Sequence, residues 1–199
     1  MSLVPARWRA AACALALTAL AAFTLAAAPS VGAEPTTAPV PRAVVQGPAE
    51  GEYTIRAAHS GKCLGPEDDR REWGILLVQQ PCDGRPTQRV YIVRVGEDQG
   101  RDYHYVGTST GWCWGATEGG GPGGWPIDEP VRTVGCREWW QRVGLHFYAM
   151  PNGTWMISTI NSGLQQPCLH VQGGSNNDGA VLLFNVCNRP GQYFELRPV

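Results

Sequence analysis

Short apolar stretches, separated by turn-forming residues, recur along the chain beyond residue 50. Four of them have the length and the alternating, β-branched or aromatic composition of β-strands: 53–56, 90–93, 155–158 and 180–184. Clusters of glycine, asparagine, aspartate and proline at 83–86 and 173–179 predict turns between such strands. Since no apolar stripe with helical spacing continues through this region, the pattern predicts an all-β domain.

The first 33 residues have a different pattern, which predicts an export signal. Arg7 and Arg9 precede a charge-free run rich in alanine and leucine over 10–28, and small residues at 31–33 fit a cleavage site. A transmembrane anchor is the alternative for this run. Because alanine contributes little to membrane insertion, cleavage is favoured over anchoring.

The remainder divides into a linker and a globular part. Residues 34–50 contain four prolines and no periodic apolar pattern, which predicts a flexible linker. No second apolar run of membrane-spanning length follows. We therefore expect a cleaved signal peptide over 1–33, a linker over 34–50, and a secreted, extracellular domain over 51–199 that binds no membrane.

Cysteine spacing reveals an internal repeat. One of the seven cysteines lies in the export segment, and the other six form successive pairs with spacings of 19, 23 and 19 residues. An even cysteine count in an exported chain favours disulfides, although metal-binding thiols are the alternative. No C-x-x-C pair occurs, so zinc is disfavoured and no metal or other cofactor is expected. The simplest pairing keeps each bridge inside its own copy of about 50 residues: Cys63–Cys82, Cys113–Cys136 and Cys168–Cys187.

A second repeated feature follows each cysteine pair. Each copy has a glutamine and, two positions further on, an apolar residue: Gln88 and Val90, Gln141 and Val143, Gln192 and Phe194. Together with the segments 60–64 (SGKCL) and 177–180 (NDGA), this pattern resembles the ricin-B-type (R-type lectin) β-trefoil family. The resemblance covers 51–199. It implies twelve strands with pseudo-threefold symmetry, a core built on the apolar position of each Gln-x-Trp element, and sugar binding without catalysis.

The resemblance also implies where a sugar would bind, and the sequence departs from the family there. In the family, an aspartate directly after Cys-Leu accepts hydrogen bonds from two sugar hydroxyls, and an aromatic residue two positions before the second cysteine stacks on the sugar ring. The aspartate is replaced in all three copies by Gly65, Gly115 and His170. The aromatic is replaced by Gln80, Val134 and Asn185. The expected sugar site is therefore an altered one.

The third copy is the best candidate for that altered site. His170 can still donate or accept a hydrogen bond, and the resemblance places Asn185 and Gln192 beside it, with Asp178 on the nearby turn. The alternative is that His170 is a solvated rim residue, that Asp178 serves the turn, and that the glutamines support the turn backbone. In the first copy, the acidic run 67–69 could supply an acceptor or form a solvated loop.

The second copy carries an insertion. Residues 119–124 are glycine-rich and end in Trp125, within a loop spanning 115–130. Long loops on rigid scaffolds often carry function, so we expect Trp125 to be exposed and available for a sugar. This copy has five tryptophans: Trp112, Trp114, Trp125, Trp139 and Trp140. At least three of the five are expected to be buried. The same loop supports an alternative function, a protein-binding domain such as an inhibitor of a secreted protease.

Charge and motif content argue against other classes. The chain has 16 basic and 17 acidic residues, which argues against a nucleic-acid partner. The four histidines are scattered among the copies, and neither H-E-x-x-H nor G-x-S-x-G occurs, so no catalytic residue is assigned and the protein is not expected to be an enzyme. The expected partner is a carbohydrate or glycan. A third and weaker interpretation is an accessory domain of an exported enzyme.

Overall fold

A computed structural model describes residues 46–116, 127–137, 143–160 and 167–199. Within these ranges the chain forms three short 3-10 helices, Glu67–Asp69, Pro86–Gln88 and Gln172–Gly174. It also forms thirteen β-strands: β1 Gly51–Ala57, β2 Cys63–Pro66, β3 Leu77–Gln80, β4 Arg89–Asp98, β5 Arg101–Thr108, β6 Trp112–Gly115, β7 Glu129–Pro130, β8 Arg132–Gly135, β9 Leu145–Ala149, β10 Trp155–Thr159, β11 Cys168–Val171, β12 Leu182–Asn185 and β13 Tyr193–Pro198.

Six of these strands close a barrel, to which each repeat contributes its first and its last strand. Within the three copies, β1 pairs with β4, β5 with β9, and β10 with β13. Between copies, β4 pairs with β5, β9 with β10, and β13 with β1, all antiparallel. The last contact places Tyr53 opposite Pro198 and Ala57 opposite Phe194, which closes the ring.

The two middle strands of each copy form a hairpin: β2 with β3, β6 with β8, and β11 with β12. A six-stranded barrel with three hairpins in pseudo-threefold order is the β-trefoil architecture that the resemblance implied. Twelve strands belong to this plan. The thirteenth, β7, comes from the inserted loop of the second copy and pairs with β12 of the third, with Pro130 opposite Leu183.

The core forms where the apolar strand positions of the three copies meet. The apolar residue of each Gln-x-Trp element is buried, as expected: Val90, Val143 and Phe194. In β1, burial alternates so that Tyr53, Ile55 and Ala57 face inward. Trp114 is also fully buried, whereas Trp112 is partly exposed. The other three tryptophans of the second copy lie outside the described residues, so their burial stays a prediction.

The predicted disulfide pairing is confirmed in all three copies. Cys63–Cys82, Cys113–Cys136 and Cys168–Cys187 are bonded, with Cα–Cα distances of 4.9, 4.9 and 5.0 Å. Each bridge joins the first strand of a hairpin to the segment that follows its second strand. Among the described residues, no cluster of three or more His, Cys, Asp or Glu side chains could hold a metal ion.

The N-terminal expectations fall mostly outside the described residues. The export signal over 1–33 and the linker up to residue 45 therefore stay predictions. The last five residues of the expected linker, 46–50, lie against the barrel: Tyr53 Oη donates a hydrogen bond to the Ala49 carbonyl (2.8 Å), and the Arg94 amide donates one to Glu50 Oε1 (2.8 Å). In the part of the chain that the structure covers, none of the helices is long and apolar enough to span a membrane.

Candidate binding site

A cavity of about 650 Å³ lies beside the hairpin of the third copy. Its walls come from all three copies: Leu76 from the first, the end of the inserted loop and β8 from the second, and β11, β12 and the segment after Cys187 from the third. Its polar side chains are Asp128, Arg132, His170, Gln172, Asn185 and Arg189. Leu183 and Val181 contribute apolar surface. The cavity therefore offers hydrogen-bonding groups beside an apolar wall.

His170 and Asn185 face this cavity because of the hairpin register. Cys168 lies opposite Asn185, and His170 lies opposite Leu183, so these four side chains share one face of the hairpin. His170 is 5% exposed, and its Nδ1 atom has no hydrogen-bond partner among the described residues. A buried polar atom without a partner is costly unless a ligand or water satisfies it. Because both residues lie on this face of the hairpin and line the same cavity, the predicted proximity of His170 and Asn185 is observed.

Asp128 is the site residue that sequence reasoning missed. Its Oδ1 atom accepts a hydrogen bond from Asn185 Nδ2, and its backbone N–H donates one to the Phe184 carbonyl (2.8 Å). Its φ of 66° is left-handed, a conformation that aspartate tolerates better than most residues. Pairing of β7 with β12 fixes this segment against the third copy. A carboxylate is thus present in the third-copy site, but the second copy supplies it.

Burial sets the protonation of His170. Removal from water lowers the pKa of the imidazole below its usual value, and the positive charge of Arg189 lowers it further. The Leu183 backbone and the Asp128 carboxylate oppose this shift without reversing it. His170 is therefore neutral at pH 7, and one of its two ring nitrogens is available as an acceptor.

Residues 44–129 match the family model described as ricin-type β-trefoil lectin domain-like. The match covers less than half of the chain. The closed barrel, the three hairpins and the three bridges show that the chain has the β-trefoil fold that this family model describes. No curated protein sequence matches the chain.

Solved structures share this β-trefoil fold. The designed threefold-symmetric protein ThreeFoil has 20% sequence identity and a TM-score of 0.63, covering 75% of this chain and 99% of that chain. The exo-β-1,3-galactanase 1,3Gal43A from Clostridium thermocellum has 19% identity and a TM-score of 0.62, covering 77% and 31%. The Macrolepiota procera ricin B-like lectin, in complex with lactose, has 12% identity and a TM-score of 0.58, covering 76% and 98%. At these identities the likeness shows the fold alone.

Two predicted site residues lie away from the cavity. Asp178 pairs with Lys62 Nζ at 2.5 Å, which ties the third copy to the first, and it is not among the described residues that line the cavity. Gln192 is fully buried: its Nε2 donates to the Val186 carbonyl (2.7 Å) and its Oε1 accepts from the Arg189 amide (2.7 Å). Gln192 therefore holds the segment that carries Arg189, rather than facing a ligand.

The glutamine of the first copy plays the same part. Gln88 donates to the Pro81 carbonyl (2.7 Å) and accepts from the Asp83 amide (3.2 Å). The alternative that these glutamines support turn backbone is thus confirmed for Gln88 and Gln192. Gln141 lies outside the described residues.

The equivalent position of the first copy is filled by protein. A Cβ atom on Gly65 would lie 2.6 Å from Gln80 Nε2, so the glutamine side chain occupies the space where a longer residue would stand. In the acidic run, Asp69 accepts hydrogen bonds from Arg85 Nη1 (2.5 Å) and from the Thr87 hydroxyl. Asp69 therefore fixes its own loop and does not replace the missing acceptor.

In the second copy the aromatic position is occupied by Val134, which is fully buried opposite Cys113. A buried valine at this register cannot present a surface to a ligand. Trp125, the other residue expected to contact a sugar here, lies outside the described residues, so its role stays a prediction.

A second cavity, of about 490 Å³, lies between residues 46–50 and strands β4 and β5. His104 is buried there, and Arg94 Nε donates a hydrogen bond to Asp102 Oδ1 (2.7 Å). Burial lowers the pKa of His104, and the neighbouring Asp102 carboxylate opposes that shift. His104 and His170 are thus two buried imidazoles that the folded protein keeps neutral.

These two histidines predict that mild acid destabilises the domain. The pKa of each buried histidine is lower in the folded state than in the unfolded state, where it is about 6.5. Below that pH the unfolded chain binds protons more readily than the folded one, so the free energy of unfolding decreases as the pH falls. Thermal unfolding should therefore begin at a lower temperature at about pH 5 than at about pH 7.5. The lowered pKa of Asp83, caused by Arg85, acts only below its usual value of 3.8 and so does not enter this interval.

The variant His104→Gln tests the cause of this pH dependence. It should show a smaller change in melting temperature between the two pH values, because it cannot take up the proton. The matched control is His59→Gln, since His59 is exposed and its ring forms a hydrogen bond with the Ser175 carbonyl. An unchanged pH dependence in the His104 variant would contradict the assignment.

Proposed function

We propose that this domain binds a carbohydrate, without catalysis, in the cavity of the third copy. One observation carries the proposal: a carboxylate, a carboxamide and a buried imidazole with an unpartnered nitrogen meet beside an apolar wall. Sugars present hydroxyls that both donate and accept hydrogen bonds, together with apolar C–H faces. Asp128, Asn185 and His170 supply the polar partners, and Leu183 supplies apolar contact.

Asp128 takes the part of hydroxyl acceptor in this proposal. An ionised carboxylate has two acceptor oxygens, and the hydrogen bond from Asn185 engages one of them, Oδ1. The other oxygen accepts no hydrogen bond from the described residues, and we propose that it accepts one from a sugar hydroxyl. Such charge-assisted hydrogen bonds are stronger than neutral ones. Trp125 stands three residues before Asp128 in the chain and is proposed as the aromatic contact.

The match of residues 44–129 to a lectin-like family model supports a sugar as the ligand, and the structurally similar Macrolepiota procera lectin was solved with lactose. We further propose that the protein is exported after removal of residues 1–33 and binds its glycan outside the cell. The absence of catalytic motifs from the sequence supports binding without turnover. The galactanase relative supports the weaker alternative, a binding module that serves an enzyme.

A glycan array probed with the full chain tests the proposal. Binding to at least one glycan is expected, and Asp128→Ala and His170→Ala should each weaken it by roughly tenfold or more, because each removes a hydrogen bond to a buried or charged group. The matched control is Glu195→Ala, which removes an exposed carboxylate paired with Arg197 on β13. Failure to bind any glycan, or binding that both cavity variants retain, would overturn the proposal.

The protein-binding alternative, including protease inhibition, rests on the loop at 115–130. The described end of that loop is fixed to the third copy by the pairing of β7 with β12 and by the Asp128 contacts. Deletion of 119–124 distinguishes the two functions. It should leave Asp128-dependent glycan binding measurable, whereas an inhibitor acting through this loop would lose its activity against a panel of secreted proteases.

A further inference from the structure

The cavity of the third copy has an excess of positive charge. Arg132 and Arg189 both line it, whereas Asp128 is the one carboxylate among the described lining residues, and His170 is neutral. The whole chain, by contrast, has a formal net charge of −1. The positive charge is therefore a local property of this cavity.

Arg132 is held in place by the protein. It lies on β8 opposite Gly115 and is partly buried, and its Nη1 atom donates a hydrogen bond to the Gly74 carbonyl (2.9 Å). This is the one hydrogen bond that its side chain makes within the part of the chain that the structure describes. A guanidinium has five N–H donors, so most of its donors remain available at the cavity wall.

Arg189 has an anchored backbone and an available side chain. The buried Gln192 accepts the hydrogen bond from its amide, which fixes the start of the side chain beside Pro190. Its guanidinium forms no ion pair or hydrogen bond with another described residue, and the residue is exposed. An arginine at a cavity without an acidic partner is a ready site for an anion.

We propose that the cavity selects acidic saccharides, in which a sugar carboxylate binds Arg189 and Arg132 while hydroxyls bind Asp128, Asn185 and the free nitrogen of His170. This inference rests on the proposed function. The planar guanidinium fork matches a carboxylate with two parallel hydrogen bonds, which an uncharged sugar cannot offer. A cavity of about 650 Å³ has room for one or two sugar units.

Asp128 makes the selection two-sided. A small carboxylate without hydroxyls would face the Asp128 charge with nothing to donate to it. A neutral sugar would leave the two arginines without an anion. A uronic acid residue satisfies both groups, because it carries a carboxylate and several hydroxyl donors on one ring.

The test compares glycans that differ in one group of the terminal sugar, which is charged in one of them and neutral in two. Oligosaccharides ending in glucuronic acid, in its methyl ester and in glucose are titrated against the full chain at low ionic strength. The acidic glycan should bind roughly tenfold more tightly than the two neutral ones, and added salt should narrow this difference. A sulfated oligosaccharide of the same backbone is the fourth arm, and it should bind more weakly than the carboxylate form.

Two variants assign the effect to its residues. Arg189→Gln should weaken binding of the glucuronic acid form more than binding of the methyl ester, so that the preference for the acidic glycan becomes smaller. The matched control is Arg197→Gln, an exposed arginine on β13 paired with Glu195, which should leave the preference intact. Melting temperatures of both variants establish that each is folded.

The outcomes separate this inference from the proposed function. If the glucuronic acid, methyl ester and glucose forms bind equally and Asp128→Ala still weakens their binding, the acidic preference is overturned. The proposal that the domain binds a sugar is then unaffected. Tighter binding of the sulfated form would likewise overturn the assignment to carboxylates. If neither these four glycans nor any glycan on the array binds, both the acidic preference and the proposed sugar binding are overturned.

Discussion

Replacing Phe194 with alanine is expected to lower the free energy of unfolding by about 3–5 kcal/mol, in the range measured for buried aromatic truncations. Phe194 is fully buried and lies on β13 at the point where the barrel closes, opposite Ala57 of β1 and Trp155 of β10. Its ring therefore fills space shared by the first and third copies, which cannot collapse around a cavity without moving both. Urea unfolding monitored by tryptophan fluorescence measures the change.

The neighbouring residue provides the control for this prediction. Tyr193 belongs to the same strand but faces the other way and is 38% exposed. Tyr193→Ala should lower the free energy of unfolding by at most about 1 kcal/mol, as is usual for surface substitutions. Similar losses in the two variants would show that the strand, rather than the buried ring, determines the stability.

Removing the disulfide Cys168–Cys187 is the second large effect that we expect. Replacing both cysteines with alanine should lower the free energy of unfolding by about 3 kcal/mol, because the bridge closes a loop in the unfolded chain. It should also weaken glycan binding, since the bridge ties β11, which carries His170, to the segment that carries Arg189. Denaturant unfolding and glycan titration measure the two effects.

The first copy offers a matched variant. The bridge Cys63–Cys82 has the same sequence separation of 19 residues, but it lies beside the position that Gln80 fills. Removing this bridge should lower the free energy of unfolding by a similar amount. It should leave glycan binding unchanged at temperatures where both variants remain folded. Equal loss of binding in the two folded variants would place the ligand elsewhere.

Much of the fold was predictable because its signals are local and occur three times. The cysteine spacings and the glutamine that follows each pair gave the disulfides, the repeat and the buried positions of Val90, Val143 and Phe194. The sequence pattern does not predict which residues of β5 are buried, because a polar side chain faces the interior there. There His104 is buried while its neighbours Tyr103 and Tyr105 are only partly so, an order that hydrophobicity alone would reverse.

The site was less predictable because it depends on contacts between copies. The sequence indicated His170 and Asn185 by their positions in the repeat, but Gln192 turns inward to the backbone and Asp178 pairs with Lys62, 116 residues away. Asp128 reaches the cavity only because β7 pairs with β12. No spacing within one repeat could reveal that the second copy completes the pocket of the third.

The closure of the barrel by β13 on β1 also determines the order in which the fold can form. The two strands lie at opposite ends of the domain, so their pairing requires the longest loop closure among the described strands. Until it forms, β1 and β10 each have a backbone edge without this partner. Contacts between such distant segments slow folding, and unpaired edges can pair with other chains during that time. A newly made chain of this protein is therefore most prone to aggregate just before its last strand is in place.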